Sequence, residues 1–391
     1  MKNLLNYILV IFSIIVSGSL FFSSFNDDLI LVFYFCLSLA GLALLKNPTI
    51  KKYFLTYALI ASSYLILQPL LLNNLSGINI NFGYVLRVFS FLFVISIIGY
   101  DTFSKTYVKV LTVFCCLNLI LYIDQVLLFK VIRPLPGYLS TFDGNVLYQN
   151  YIFYVKQTVS LSYENFNPGT WIKNPGIFGE GGLYQYFLNL ALIINLSIKH
   201  KNIFTFRNII FIISILTTFS TVGYIIMIGI LFMVFFNNPK ISYKPLKFIL
   251  LLPLIFIILS SYTVASKFKI DNTAFFSTQR RVLDTIIDSN VIFDNPLFGI
   301  GLGNIKEWKN YSNEFMGGSS SSNGLTNYIS KVGILGFFIT LYPFFISRIR
   351  GKNKLILFCN GLTLITQGIV FAPIFLLSMS LLKIKRVQLE V

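Results

Sequence analysis

Apolar runs long enough to cross a membrane recur along the whole chain and limit what it can fold into. A helix needs roughly 20 apolar residues to cross the hydrocarbon core of a bilayer. Only 12% of the residues are charged, well below the ~25% that is typical of soluble domains. The sequence therefore predicts an all-α, polytopic membrane protein. Its apolar runs cover residues 4–23, 29–45, 53–72, 82–99, 108–129, 182–198, 248–264 and 324–346, with two double runs at 205–237 and 354–383.

Each double run is too long for one membrane helix and contains a polar or kinking interruption. Residues 220–223 interrupt the first, and Gln367, Gly368 and Pro373 interrupt the second. Splitting both runs predicts about 12 transmembrane helices. The first run resembles a signal peptide, but its apolar core exceeds the ~7–15 residues of such a segment, so a retained span is expected.

The distribution of cations supports an even number of spans. With twelve spans, both termini lie on one side of the membrane, and that side collects most of the 31 lysines and arginines. Cytoplasmic loops are enriched in such residues, so both termini are predicted to be cytoplasmic, most plausibly at a bacterial plasma membrane. This pattern also accounts for the net charge of +17 without a nucleic-acid partner. The clusters lie at residues 2, 46–52, 105–109, 199–207, 240–247, 348–354 and 383–386.

Two long extracytoplasmic loops, 130–181 and 265–323, belong to this single integral-membrane domain of residues 1–391. Their turn-forming residues predict folded lids rather than tethers. Residues 277–294 have helical apolar spacing, with Ser277 as an N-cap and both Asp284 and Asp288 on a polar face. Proline ends this helix after Asn295. A short amphipathic helix beside a membrane is predicted to lie in the interface and to contact lipid.

Glu180 is unusual as a carboxylate at the start of an apolar run in a chain with only 14 acidic residues. Its glycine neighbours allow close approach of a ligand to the backbone. Two interpretations stay open: a helix cap that favours the dipole, or a general base that orients a substrate. Lys173 and Tyr184 are weaker members of the same predicted cluster.

Three arginines are candidates for anion binding. Arg87 lies inside an apolar run, where a charge is costly unless it faces a polar cavity or reaches the interface. Arg280 and Arg281 lie near the start of the predicted loop helix, where the dipole favours anions rather than cations. They are predicted to bind a ligand phosphate, with lipid headgroups as the alternative.

Other kinds of site find little support in the sequence. The four cysteines (Cys36, Cys115, Cys116 and Cys359) all lie in apolar runs and are predicted to be buried thiols. With a single histidine, His200, and no Cys/His cluster, no metal or other cofactor is expected. The glycines of residues 299–303 lack the strand context of a nucleotide-binding loop.

Four stretches resemble motifs of the O-antigen polymerase and O-antigen ligase superfamily. Residues 174–185 read NPGIFGEGGLYQ, similar to the superfamily's G-[I/L]-F-x-E-[P/G]-G signature. Arg281 followed by NPLFGIGLGN at 295–304 resembles its arginine, interfacial helix and H/N-P-L-F-G turn. LTTFSTVG at 216–223 and SNGLTNYISKVGILG at 322–336 are similar to the motifs at the break between paired spans and at the entry to the next span.

The resemblance implies a metal-independent membrane glycosyltransferase with a GT-C-like architecture. Its partner would be an oligosaccharide linked to undecaprenyl pyrophosphate on the outer face, with a chain-length regulator protein as a further partner. Together with the residue patterns above, the resemblance favours Glu180 and Arg281 as the catalytic residues. The predicted substrate-binding residues are Arg280, Arg87, Lys173, Tyr184, Asn304 and Asn323.

Two departures from the superfamily's pattern bear on the reaction. Lys173 replaces an arginine and loses its bidentate fork. Ser322 stands where ligases carry histidine, and no histidine lies in a predicted outer loop. This favours a polymerase of polysaccharide repeat units, for O-antigen, capsule or another exopolysaccharide. A ligase that transfers finished glycan to a lipid or protein acceptor, and a transporter of lipid-linked glycans, remain the alternatives.

Overall fold

A computed structural model describes most of the chain. It covers residues 2–19, 27–44, 52–74, 77–126, 131–134, 138–140, 146–160, 173–198, 204–236, 273–313, 321, 323–347 and 352–381. The described helices are α1 (Lys2–Val16), α2 (Asp27–Ala43), α3 (Lys52–Leu71), α4 (Ile78–Ile98), α5 (Tyr100–Val126), α6 (Gly181–Ile198), α7 (Phe206–Thr217), α8 (Thr221–Phe236), α9 (Thr273–Asp294), α10 (Ile305–Asn313), α11 (Gly324–Thr340), α12 (Tyr342–Phe345), α13 (Lys352–Thr366) and α14 (Pro373–Ser380). The described strands are β1 (Tyr138–Ser140), β2 (Val146–Asn150) and β3 (Val155–Ser160).

Helices occupy the predicted apolar runs wherever the structure describes them. Three of these helices are long and apolar enough to cross a membrane, at Phe54–Leu71, Ile78–Ile98 and Tyr100–Gln125. Five shorter apolar helices accompany them in the described ranges. The predicted span at 248–264 lies outside the described residues.

Both double runs break where their polar residues predict. The first divides into α7 and α8 at residues 218–220, where Phe219 adopts a positive φ of 48°. Hydroxyls satisfy the backbone there: Thr218 Oγ1 accepts from the Ser220 N–H at 3.3 Å, and Ser220 Oγ accepts from the Gly223 N–H at 3.3 Å. The second divides into α13 and α14, and Pro373 is the first residue of α14, a position that needs no N–H partner.

A three-stranded antiparallel sheet in the first loop departs from the all-α prediction. The strand order is β1-β2-β3. Leu139 pairs with Tyr148, and Gln149 pairs with Lys156, with an irregularity between Leu147 and Tyr148. These segments are rich in β-branched and aromatic residues around an Asp-Gly pair at 143–144. That combination is typical of a hairpin, so the sequence contains a local signal for these strands.

The chain divides into two compact units, although the sequence predicts a single domain. The first unit comprises Met1–Ser17, Asp28–Phe103 and Phe276–Val391. In it α4 packs on α3 and α14, while α11 packs on α3 and α13. Polar side chains bridge the helices: Tyr57 Oη donates to the Thr340 carbonyl at 2.9 Å, and Asn360 Nδ2 donates to Ser378 Oγ at 2.7 Å.

The second unit comprises Gly18–Asp27 and Ser104–Phe275. Its core is α6, which packs on α7 and α8. Asn195 Nδ2 donates to Asn208 Oδ1 at 2.7 Å and joins α6 to α7. Asn189 Nδ2 donates to the Gly223 carbonyl at 3.2 Å and joins α6 to α8. Paired amides and close backbones are common between helices in membranes, where polar groups need internal partners.

The cysteines are free thiols, as their positions suggest. Cys115 and Cys359 are buried, and Cys116 is partly buried. Cys36 is exposed, so the prediction that all four are buried is wrong for this residue. It lies on α2, whose apolar side chains are exposed at Val32 and Phe33 as well.

Candidate functional site

The segment before α6 is buried except at its two charged residues. Residues 174–179 are all buried, whereas Lys173 and Glu180 are exposed. The Glu180 carbonyl accepts the N–H groups of Leu183 at 3.2 Å and Tyr184 at 3.0 Å. Glu180 therefore occupies the N-cap position of α6. Its backbone caps the helix, and the residue is exposed.

Asn174 fixes this segment, hereafter the Glu180 loop (residues 173–180). Its Nδ2 donates to Asn118 Oδ1 at 2.7 Å and to Thr217 Oγ1 at 2.9 Å. Its Oδ1 accepts the Gly176 N–H at 3.1 Å. The Asn118 amide in turn donates to the Phe153 carbonyl at 3.0 Å, beside the small sheet. One asparagine thus ties the loop to α5 and to the end of α7.

Glycines let the Glu180 loop pack this closely. Gly176 has a positive φ of 60°, and a Cβ there would lie 2.9 Å from the Tyr184 ring. A Cβ at Gly181 would lie 2.7 Å from the Thr218 carbonyl oxygen. Larger residues at either position would push the loop off its support. The glycines of the motif therefore serve close packing of the loop.

Tyr184 lies beneath the loop and not at its surface. Its side chain is 2% exposed, and its hydroxyl lies 3.4 Å from Cys115 Sγ and 3.5 Å from Asn118 Oδ1. Phe178 packs on its ring at a centroid distance of 5.9 Å. Burial of a ring with a satisfied hydroxyl indicates a packing role, so Tyr184 supports the loop and does not present its hydroxyl to a ligand.

In the first unit, Asn323 contacts the backbone of Arg281. Asn323 Nδ2 donates to the Arg281 carbonyl at 2.8 Å and to Thr285 Oγ1 at 2.8 Å. The Arg281 side chain is half-buried. Arg280 precedes it on α9, and only the Arg280 backbone is described. The residue before α11 therefore holds the turn of α9 that carries the arginines.

Helix α9 ends at Asp294 as predicted, but its start and its faces differ from the prediction. It begins at Thr273, so Ser277 lies inside the helix and is not its N-cap. Asp284 is 1% exposed and Asp288 is fully buried. The predicted polar face is therefore packed inside the protein. The exposed side carries large apolar residues instead, at Val282, Leu283, Ile286 and Phe293, beside the polar Thr285 and Asn290.

Asp288 is buried because three donors converge on its carboxylate. Oδ1 accepts from Trp308 Nε1 at 2.9 Å. Oδ2 accepts from Ser321 Oγ at 2.8 Å and from Thr326 Oγ1 at 2.7 Å. Burial raises the pKa of Asp288 above its ordinary value of 3.8, although these hydrogen bonds act in the opposite direction. Such bonds offset the cost of burying a carboxylate.

Asn304 acts locally as the cap of α10. Its Oδ1 accepts the Glu307 N–H at 3.2 Å, and its Nδ2 donates to the Glu307 carboxylate. The first bond is that of a side-chain N-cap, and the second joins the two side chains, whereas a capping box would use the backbone N–H of Asn304. The side-chain amide of Asn304 is therefore bonded to Glu307 of α10.

The glycine-rich turn at 296–303 packs into a break in α11. Gly333 interrupts that helix with φ 70° and ψ 174°. The turn completes the broken backbone: Ile300 N–H donates to the Ser330 carbonyl at 3.0 Å, and Gly301 N–H donates to the Lys331 carbonyl at 2.9 Å. A Cβ at Gly299 would lie 2.5 Å from the Ser330 carbonyl oxygen. The glycines are thus explained by backbone contact.

Arg87 lies on α4 with its guanidinium carbon 5.4 Å from the centroid of the Tyr84 ring. Its Nε is buried and has no hydrogen-bond partner within the described part of the chain. A buried guanidinium donor without a partner carries a cost. An anion would supply the missing acceptor.

The described residues contain no group of three His, Cys, Asp or Glu side chains that could hold a metal ion. Searches against protein-family models, curated proteins and solved structures found no match to this chain. The likeness to the O-antigen polymerase and ligase superfamily therefore remains a prediction from the four sequence stretches.

Proposed function

We propose that the protein is a polysaccharide polymerase that joins oligosaccharide repeat units carried on undecaprenyl pyrophosphate. The observation that carries this proposal is the placement of Glu180. Glu180 is exposed at the end of a loop whose preceding six residues are all buried. A fixed loop that ends in one exposed glutamate is suited to general base catalysis, which requires a positioned acceptor for a proton.

The proposed reaction transfers the growing chain to a new repeat unit. A hydroxyl of the acceptor repeat attacks the anomeric carbon of the growing chain, and the bond from that carbon to the pyrophosphate oxygen breaks. Glu180 takes the hydroxyl proton, and undecaprenyl pyrophosphate leaves with the bonding electron pair. The lengthened glycan stays on the lipid of the acceptor repeat. No metal or other cofactor takes part.

The leaving pyrophosphate needs positive charge as the bond breaks. We assign this role to Arg281 and Arg280, with Arg87 acting from within the membrane. The bond from Asn323 to the Arg281 carbonyl supports the first assignment because it fixes the helix turn that carries the guanidinium. The buried Nε of Arg87 supports the last. Lys173 is exposed at the start of the Glu180 loop and contributes charge only.

The finer topology belongs to the same proposal. It comprises about twelve spans in a GT-C-like architecture, both termini cytoplasmic, in a bacterial plasma membrane. In this arrangement α9 lies at the outer interface. Its exposed apolar face supports that placement, with Val282 at 55% and Phe293 at 80% exposure. Such a face is suited to the boundary between headgroups and acyl chains.

A deletion strain distinguishes the proposal from its alternatives. The lipid-linked glycans of the strain are extracted and their chain lengths compared with those of the parent. Single repeat units on the lipid at the outer face are expected if the protein is a polymerase. Long polymer that is never attached to its final acceptor would indicate a ligase. Accumulation on the cytoplasmic face would indicate a transporter.

A further inference from the structure

Asp288 joins three separate elements of the first unit, and the proposed reaction does not use it. Its carboxylate, carried by α9, accepts from Trp308 on α10, from Ser321 before α11, and from Thr326 within α11. The side chain is fully buried. A carboxylate is the only charged side chain that accepts several hydrogen bonds while donating none. A carboxylate at this junction can therefore accept all three hydrogen bonds at once.

The same short segment that binds Asp288 also binds Arg281. Asn323 lies between Ser321 and Thr326, and its side-chain amide donates to the Arg281 carbonyl at 2.8 Å. Ser321 Oγ, which donates to Asp288, also accepts the Asn323 N–H at 3.2 Å. Arg281 and Asp288 are seven residues apart, roughly 10 Å along a helix. The segment thus holds α9 at two points about two turns apart.

These contacts make the position of Arg281 depend on Asp288. Without the carboxylate, Ser321 and Thr326 lose their shared acceptor, and Trp308 Nε1 is left buried without one. Asn323 would then be held only by its own bonds to α9 and to Ser321. Since a guanidinium binds phosphate through two directed hydrogen bonds, a small displacement of its helix turn weakens the pair.

We propose that Asp288 is a positioning residue for the phosphate-binding arginine, which it sets by fixing Ser321 and Thr326 against α9. This inference rests on the proposed function, because it takes Arg281 as the ligand of the pyrophosphate. Asp288 does not touch the substrate. It acts through Ser321, Asn323 and the backbone of α9.

The test measures binding of a polyprenyl pyrophosphate to the full-length protein in lipid nanodiscs. Farnesyl pyrophosphate is the probe, and calorimetry gives its Kd for the parent and for four variants. These are Arg281→Ala, Asp288→Leu, the double variant of those two, and Asp288→Asn. Arg281→Ala is expected to weaken binding about tenfold or more, as loss of a charge-assisted hydrogen bond does. Asp288→Leu is expected to weaken it to a similar extent.

The double variant distinguishes an effect of Asp288 that acts through Arg281 from an independent one. If Asp288 acts through Arg281, the double variant binds no more weakly than Arg281→Ala alone, because the two effects share one interaction. Asp288→Asn stays within about threefold of the parent, since the amide oxygen still accepts from Trp308 and the amide N–H groups donate to the two hydroxyls. Asp294→Asn, an exposed acid on the same helix, serves as the control and leaves the Kd unchanged.

A further variant covers the case in which Asp288→Leu does not fold. Thr326→Val removes one donor to the carboxylate and is expected to weaken binding in a way that is again lost in the Arg281→Ala background. Unchanged affinity in Asp288→Leu or Thr326→Val, or effects that add to that of Arg281→Ala, would overturn the positioning role alone. Unchanged affinity in Arg281→Ala would overturn the phosphate-binding role of the arginine and the positioning role with it.

Discussion

The side-chain amide of Asn174 donates to Oδ1 of Asn118 at 2.7 Å and so attaches the Glu180 loop to α5. Both side chains are buried. Neither asparagine belongs to the predicted site, yet together they determine where the exposed carboxylate stands. The placement of the proposed base therefore depends on amide contacts beneath it.

Replacing Asn174 with alanine tests this support. Asn118 Oδ1 would lose its shortest bond, and a buried polar group without a partner costs about 1–3 kcal/mol. We expect a lower melting temperature and a polymerisation rate reduced about tenfold, because a misplaced base transfers protons poorly. Asn310→Ala, at an exposed asparagine, is the control. A stable Asn174→Ala protein with the parental rate would show that the loop needs no such anchor.

Gly333→Ala is expected to destabilise the first unit. The residue adopts a positive φ of 70°, and a Cβ there would overlap the Leu297 carbonyl. Strain of this kind costs on the order of 1–3 kcal/mol, which thermal unfolding in nanodiscs would detect. Gly361→Ala is the matched control, because nothing lies within 4 Å of its added Cβ. Equal melting temperatures for the two variants would contradict the described break in α11.

Stability should depend on pH through Asp288. Burial and the charge of Asp284 raise the pKa of Asp288, so the folded state binds its proton more tightly than the unfolded state does. The folded protein therefore loses stability as the pH rises from about 4 through the titration of this group. The Asp288→Asn protein does not lose stability in this way, because the amide does not titrate. Its melting temperature relative to the parent is expected to rise with pH, and a difference that stays constant or falls would refute the direction of the shift.

Membrane-impermeant maleimide tests the predicted sidedness. Lys306→Cys lies in the second loop and Lys105→Cys lies between the fourth and fifth predicted spans, and both lysines are exposed. In intact spheroplasts we expect labelling at Lys306→Cys only, with the parent giving the background of the four native cysteines. Labelling at Lys105→Cys instead would reverse the proposed orientation, and labelling at both would contradict a sealed topology.

Features that depend on neighbours in the sequence were predicted well. Ser220 of the predicted interruption lies in the break between α7 and α8, and Pro296 follows the end of α9. In both cases the physical cause lies within a few residues of the effect. The positions of the described helices follow from the same kind of local information.

Features that depend on distant residues were not predictable in this way. Asp288 looks like a surface acid on α9, but its three donors come from residues 20 to 38 positions away. The sequence suggests that Tyr184 is available to a ligand, but in the structure the loop backbone at Gly176 packs against its ring. Tertiary partners decided both of these outcomes. The small sheet is a different case, because its hairpin signal is local but short, and the long apolar runs do not reveal it.

One substitution tests whether Glu180 is the proton acceptor. Glu180→Gln retains the shape of the side chain and the backbone cap of α6 but removes the basic carboxylate. Purified protein in nanodiscs is given lipid-linked repeat units, and product length is followed, with Asp294→Asn as the control. We expect Glu180→Gln to leave single repeats and Asp294→Asn to make polymer of parental length. Long polymer from Glu180→Gln at the parental rate would contradict the role of Glu180 as the base.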